Sequence, residues 1–153
     1  MMDIIAHTMA YARTQRVHSP LRLRSYASRD YDAYRALYND CFRDMRTALG
    51  RFPIDCCESK EALEKKKEDI FLLEIDGRLV GSVAIYESEI DDLIVARDFR
   101  RRGYGEALLR YAVCRLHSRG MSPIVLHVAD WNQGAMALYR KNGFEIVKTQ
   151  IVP

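Results

Sequence analysis

The sequence predicts an α/β (α+β) fold: a mixed, largely antiparallel central sheet of about six to seven strands with helices on both faces, in the order β-α-α-β-β-β-α-β-α-β. Three observations carry that expectation. The stretch DIFLLEIDGRLVGSVAIYESEIDDLIVA, 69–96, holds two apolar runs joined at Asp76-Gly77 with a third close behind, the pattern of an antiparallel meander. From 106 onward, helical and extended periodicities alternate. The 153 residues are 48% hydrophobic and 29% charged, with only 4 prolines and 8 glycines, which suits one domain with its own core and gives no reason for bulk disorder.

The elements follow in chain order. Residues 1–20 are weakly patterned and end at Ser19-Pro20, so they are expected as an N-terminal extension outside a single domain spanning 21–153. LRLRSY, 21–26, alternates like a half-buried strand. Ser28 or Asp30 then caps a helix carrying Tyr31, Tyr34, Leu37, Tyr38 and Cys41 at helical spacing. The aromatic stripe Tyr31, Tyr34, Tyr38 and Phe42 is expected to pack into the core. Residues 43–57, with Gly50 and Pro53, look like a loop, and 58–68 a charged, exposed helix. After the meander, Glu106–Arg119 is amphipathic and stopped by Gly120. PIVLHVAD, 123–130, is a β-branched strand, Asn132–Lys141 a helix stopped by Gly143, and FEIVKTQIV, 144–152, a last strand.

Composition excludes several function classes. The formal charge of +3 is the difference between 24 basic and 21 acidic residues, which is weak for a nucleic-acid binder. No run approaches the roughly 20 apolar residues of a membrane span, and the start lacks the layout of a signal peptide, so a cytoplasmic location with no membrane partner is expected. Cys41, Cys56, Cys57 and Cys114 show no C-x-x-C spacing and are expected as reduced thiols, with no metal.

The segment ARDFRRRGYGEALL, 96–109, sets Arg100, Arg101 and Arg102 beside Gly103 and Gly105 at the start of a helix. A dinucleotide fingerprint needs a third glycine where Leu108 stands, and a P-loop needs Gly-Lys-Ser/Thr after the glycines. What remains is a strand end, a tight turn and a helix start whose first amides point at an anion, reinforced by the helix dipole. The glycines let the backbone approach phosphates, and the arginines add charge from the rim.

Read together, LIVARDFRRRGYGEALL and LHVADWNQGAMALYRKNGF closely resemble the acetyl-coenzyme A-binding core of the GNAT superfamily of N-acetyltransferases. The matching positions are Arg100, Gly103, Gly105, Asn132, Ala135, Tyr139, Gly143 and Phe144, over about residues 70–150. Ala96-Arg97 departs from a place where proline is common, and Arg101 from one where a small residue is. The resemblance implies that acetyl-CoA is the acetyl donor, its pyrophosphate on Arg101, Arg102, Gly103, Tyr104, Gly105 and Glu106 and its pantetheine arm along Leu93, Ile94 and Val95, with Asn132 touching the arm. Trp131 either borders the cofactor or simply packs. The implied reaction is direct transfer to a primary amine of a small molecule or a protein; the alternative is a non-catalytic acyl-CoA-binding regulatory module.

Strand 89–96 is then expected to splay from 123–130, leaving main-chain groups for the arm's amides, with the Val95 N–H polarising the thioester carbonyl. By alternation Glu89, Asp91, Leu93 and Val95 share one face and Asp92 points away. The resemblance implies a general base at Glu89, His127 or Asp91, in that order, and a general acid at Tyr139. Asp40, Asp44 and Asp55 are read as solvated charges. A seventh strand is common in the family, so the sheet is shorter, or residues 1–20 or a second copy in a homodimer complete its edge.

Overall fold

A computed structural model describes residues 3–153. The chain forms β1 (Ile4–Tyr11), β2 (Arg24–Ser25), α1 (Tyr31–Ala48), α2 (Lys60–Lys65), β3 (Ile70–Ile75), β4 (Arg78–Tyr86), β5 (Glu89–Val95), α3 (Tyr104–Ser118), β6 (Val125–Ala129), α4 (Gln133–Lys141) and β7 (Phe144–Val152). One seven-stranded sheet results, ordered β2-β3-β4-β5-β6-β1-β7, antiparallel throughout except for the parallel pair β5 and β6. The expected mixed, largely antiparallel sheet with helices on both faces is therefore present.

The meander forms as its turn chemistry dictates. Asp76 and Gly77 both take positive φ, 51° and 76°, the combination that matches hairpin twist. Both faces of β3 are buried: Phe71 and Leu73 pack with α3 and α4, and Ile70 and Leu72 with α1 and α2. On the first side the core gathers Leu108, Leu109, Ala112, Val113 and Leu116 of α3 with Met136 and Tyr139 of α4. On the second, Tyr34 and Leu37 of α1 and Leu63 of α2 close over Ala84, Ile94 and Ala96.

Three expectations need correction. Residues 4–11 are not an extension outside the domain: β1 lies between β6 and β7 and pairs antiparallel with both. It reads weakly because its neighbours supply pattern on neither side, yet Met9 is wholly buried and His7 is fixed between Thr149 and Asp130 at 2.8 Å each. The seventh strand is thus supplied from the N-terminal segment. The loop expected at 43–57 is helical as far as Ala48, because Phe42 and Cys41 continue to pack against the core and Gly50 stops the helix only two residues later. The 21–26 strand shrinks to a two-residue bridge at Arg24–Ser25, held by the Arg24 guanidinium on Asp30 and Glu74.

The connection from β1 to β2 crosses the outer side of α3. The Ser19 hydroxyl donates to the Ala107 carbonyl at 2.8 Å and the Arg110 Nε to the His18 carbonyl at 2.8 Å. Val17, Leu21 and Leu23 pack beneath it. The N-terminal segment therefore braces the helix whose first turn faces the site.

Candidate functional site

The site begins where two parallel strands part. β5 and β6 pair only at Glu89↔Val125 and Ile90↔Leu126. Beyond that level the strands separate, while β5 stays paired with β4 to Val95. Ala96 N–H donates to the Val80 carbonyl at 2.8 Å, so alternation turns the main-chain groups of Val95 the other way, into the opening. The Val95 carbonyl is already engaged by Arg100 Nε at 3.0 Å and by the Cys41 thiol at 3.4 Å. Burial pushes that thiol's pKa upward, which keeps it a neutral donor.

The opening widens into a cavity of about 540 Å³. Leu93, Val95, Gly105, Asn132, Ala135 and Leu138 are among its walls, with Trp131 at its border, 46% exposed. At its base the chain turns through Arg101, φ 62°, and Gly103, φ 84°, into α3. The first bond onto this helix end runs from Ala107 N–H to the Gly103 carbonyl at 3.0 Å, so the amides of Tyr104, Gly105 and Glu106 precede the helical ladder. A Cβ on Gly105 would sit 3.6 Å from Leu138 and 4.0 Å from Val95, on the wall of the cavity. Asn132 caps α4, its Oδ1 accepting from Ala135 N–H at 3.1 Å. Glu106 pairs with Lys141 at 3.0 Å, which holds its carboxyl below the usual range.

The three arginines divide their work. Arg100 turns back onto the end of β5, Arg102 stacks on Phe99 at 5.0 Å, and Arg101 lines the cavity. The neighbouring Arg97 is committed to Asp40 and Asp44 on α1, so those two acids are ion-paired and not merely solvated. Asp55, likewise, is held by Arg35 and Asn39.

A β-bulge reshapes the acidic end. The register of β4 and β5 shifts by one residue between Ser82↔Ile94 and Ala84↔Asp91, and Asp92 takes φ 48°. The shared face expected for Glu89, Asp91, Leu93 and Val95 is therefore broken. Leu93 and Val95 pack toward α3 and α4, whereas Asp91 sits opposite Ala84 on the face toward α1 and α2. Strict alternation fails here because the extra residue inverts every side chain beyond it. Glu89 and His127 do come together: Glu89 Oε1 is 2.7 Å from His127 Nε2, and Thr8 Oγ1 lies 3.0 Å from Nδ1.

Asp92, expected to point away, is turned by the bulge into a pocket that strict alternation misses. It lines a second cavity of about 170 Å³ with Tyr34, Tyr38, Cys57, Glu58, Leu63, Lys66 and Asp91. Tyr38 donates its hydroxyl to Asp92 Oδ1 at 3.1 Å. Burial, then the Asp91 charge, push the Asp92 carboxyl up to about 7, against smaller opposing effects of Tyr38 and Lys66. Two adjacent aspartates after an alternating run are the only sequence signal for it. Tyr139 is buried on the core side of α4 beside Phe144, and its hydroxyl is pushed up to about 12 by burial and by Asp91. It is protonated at neutral pH.

The raised Asp92 has a thermodynamic consequence. A carboxyl whose folded pKa exceeds its unfolded value of about 3.9 adds stability that is complete below the unfolded pKa and is lost as pH rises through about 7. The groups around it are Asp91, Glu58, Lys66, Tyr34, Tyr38 and Tyr86. Asp92→Asn is expected to remove this component, so urea titrations at pH 5 and pH 8 should show a smaller loss of stability for the variant than for the wild type. Equal losses would mean that Asp92 titrates normally.

A strand edge that opens beside the unpaired amides of a helix start defines the site of this α/β domain. Residues 31–144 match the family described as "Acetyltransferase (GNAT) family", and the chain belongs to that family. Relatives include an uncharacterized N-acetyltransferase of Methanocaldococcus jannaschii, 36% identical over 95 residues, 54% of this chain and 42% of that protein. The Escherichia coli [ribosomal protein bS18]-alanine N-acetyltransferase is 34% identical over 65 residues, 42% of this chain and 44% of its own. The matches thus span less than half the length of these curated relatives. Among solved structures, a putative GNAT acetyltransferase from Novosphingobium aromaticivorans superposes with a TM-score of 0.71 at 18% identity, over 99% of this chain and 63% of that one. The PaiA N-acetyltransferase from Thermoplasma acidophilum in complex with coenzyme A gives 0.69 at 19%, over 84% and 92%. At those identities the likeness shows the fold.

Proposed function

We propose that the protein is an N-acetyltransferase that moves an acetyl group from acetyl-CoA directly to a primary amine. The observation that carries this reading is the parting of β5 from β6 directly beside the amides of Tyr104, Gly105 and Glu106. The amides and the helix dipole suit a pyrophosphate. Apart from the Val95 carbonyl, which Arg100 and Cys41 hold, the freed edge at Leu93–Val95 suits the arm's amides as an added strand would, and we assign Val95 N–H to donate to the thioester oxygen as it gains charge.

Each proton then has a carrier. An alkylamine with pKa about 10.4 must lose a proton before it attacks, which at pH 7 costs roughly 4 to 5 kcal/mol. Asp92, near pH 7 in its affinity and set on the face toward α1 and α2, is our choice of base. Glu89 with His127 is the second reading, favoured by their 2.7 Å contact and by their access to solvent, and Asp91, which lines the Asp92 pocket, is the third. As the amine nitrogen bonds the acetyl carbon and the carbon–sulfur bond breaks, Tyr139 O–H gives its proton to the departing thiolate, and the second proton shed by the nitrogen restores the phenol. No step calls for a metal.

Incubation with acetyl-CoA and a panel of amines, followed by thiol release and product mass, tests the reading. Transfer is expected. Asp92→Asn and Tyr139→Phe should each lower kcat about 100-fold with the acetyl-CoA Kd unchanged. If acetyl-CoA binds and no amine is acetylated at high enzyme, the protein is instead a regulatory acyl-CoA-binding module. The E. coli relative's name specifies an alanine of a ribosomal protein as acceptor, so a protein N-terminus stands as the alternative to a small-molecule amine. A cytoplasmic setting and an optional homodimer belong to the same proposal. No helix among the described residues is long and apolar enough to cross a membrane.

A further inference from the structure

The smaller cavity by Asp92 is a pocket with unmet hydrogen-bonding capacity. Tyr34 is 1% exposed and lines it, yet its hydroxyl has no hydrogen-bond partner among the described residues. Asp92 receives Tyr38 on Oδ1 only, so Oδ2 is likewise without a donor. Neither oxygen is among the fully buried atoms without a partner, so both face the water of the pocket, and a ligand that donates several hydrogen bonds can take the place of that water. The only resident cation is already spoken for: Lys66 pairs with Glu58 at the rim and sits over the Tyr86 ring at 5.0 Å. Burial pushes the Cys57 thiol up to about 11, so it adds no charge at neutral pH. The pocket therefore presents an acid, a free hydroxyl and aromatic faces, with no free cation to meet an anionic group.

Size narrows the choice. At about 30 Å³ for each water-sized group, the 170 Å³ hold an ammonium and about four methylenes. Tyr34, Tyr38 and Leu63 give that stem apolar contact. An α-amine brings a branched carbon and a planar amide into the same 170 Å³, a wider group than an unbranched stem.

Resting on the acetyltransferase reading, we propose that this pocket selects the acceptor: the terminal ammonium of an unbranched alkylamine, carried either by a free diamine or by a lysine side chain, in preference to an α-amine. The ammonium donates to Asp92 Oδ2 and to Tyr34 Oη, and the stem lies between Tyr38 and Leu63.

The experiment uses the full chain with acetyl-CoA and three acceptors: diaminobutane, an N-blocked peptide with one internal lysine, and a lysine-free peptide with a free N-terminus. One of the first two should exceed the third in kcat/KM by about tenfold or more, and which one does so identifies the source of the stem. Tyr34→Phe, nearly isosteric, should raise KM for the favoured amine about tenfold while KM for acetyl-CoA stays within about twofold. Leu63→Trp, which fills the cavity, should do the same, and Tyr34→Phe keeps the test decisive if that variant does not fold. Preference for the free N-terminus, or an amine KM moved by neither variant, overturns the proposal. If no amine is acetylated although acetyl-CoA binds, the enzymatic reading is what fails. Calorimetric titration of the CoA-loaded protein with diaminobutane then decides the pocket: binding lost in Tyr34→Phe supports it, and no binding in the wild type overturns it.

Discussion

Gly103→Val is expected to weaken acetyl-CoA binding by about 10- to 100-fold, measured by calorimetric titration. Gly103 has φ 84° and nothing within 4 Å of an added Cβ, so the obstacle is backbone conformation and not space. A β-branched residue held there costs about 1–3 kcal/mol, and the chain recovers it by relaxing the turn that aims the amides of Tyr104, Gly105 and Glu106. Gly105→Val should match it by a different route. Its φ is ordinary and its Cβ meets Leu138 and Val95 at normal contact distance, so the fold tolerates it, but the branched side chain occupies the cavity wall. Single arginine-to-alanine changes at 100, 101 and 102 should each cost less than about tenfold, since Arg100 and Arg102 are committed to Val95 and Phe99. A larger loss at Arg101 than at Gly103 would shift the main anchor from backbone to side chain.

Removal of residues 1–11 is expected to abolish the cooperative thermal transition, followed by circular dichroism. β1 contributes both neighbours' hydrogen bonds: its register runs Ala6–Ala10 on β6 and Ile4–Tyr11 on β7. Without it, β7 loses its only strand partner, and β6 exposes an edge. The wholly buried Met9 goes too, and a large buried side chain of that kind is itself worth about 2–5 kcal/mol. The remaining β7 already exposes Val147 at 62% and Ile151 at 68%, so the truncated chain should associate on gel filtration. A monomer with an unchanged melting temperature would show that β1 is dispensable.

Local chemistry is what made most of the fold legible. The Asp76-Gly77 turn, the amphipathic spacing of Leu108, Ala112 and Leu116, and the caps at Asn132 and Gly143 act over a few residues, and each forms its element where expected. The cradle at 103–106 is legible for the same reason: it is one turn of chain whose amides follow from where the helix starts. Glu89 and His127, chosen separately as candidates, meet across the parallel pair, as strand register alone arranges.

Tertiary structure decided what depends on partners distant in sequence. β1 has little pattern of its own, and its place between β6 and β7 is set by edges more than a hundred residues away. The bulge at Asp92 turns on one unpaired residue between β4 and β5, which no periodicity encodes, and it moves Asp92 into the pocket of Tyr34 and Tyr38. The sequence by itself determined most of the elements and the turn that starts α3, since those rest on propensities and hydrogen bonds between near neighbours. Packing alone decided which strand closes the sheet and which carboxyl is held near neutrality, since burial and strand pairing are properties of the assembled chain.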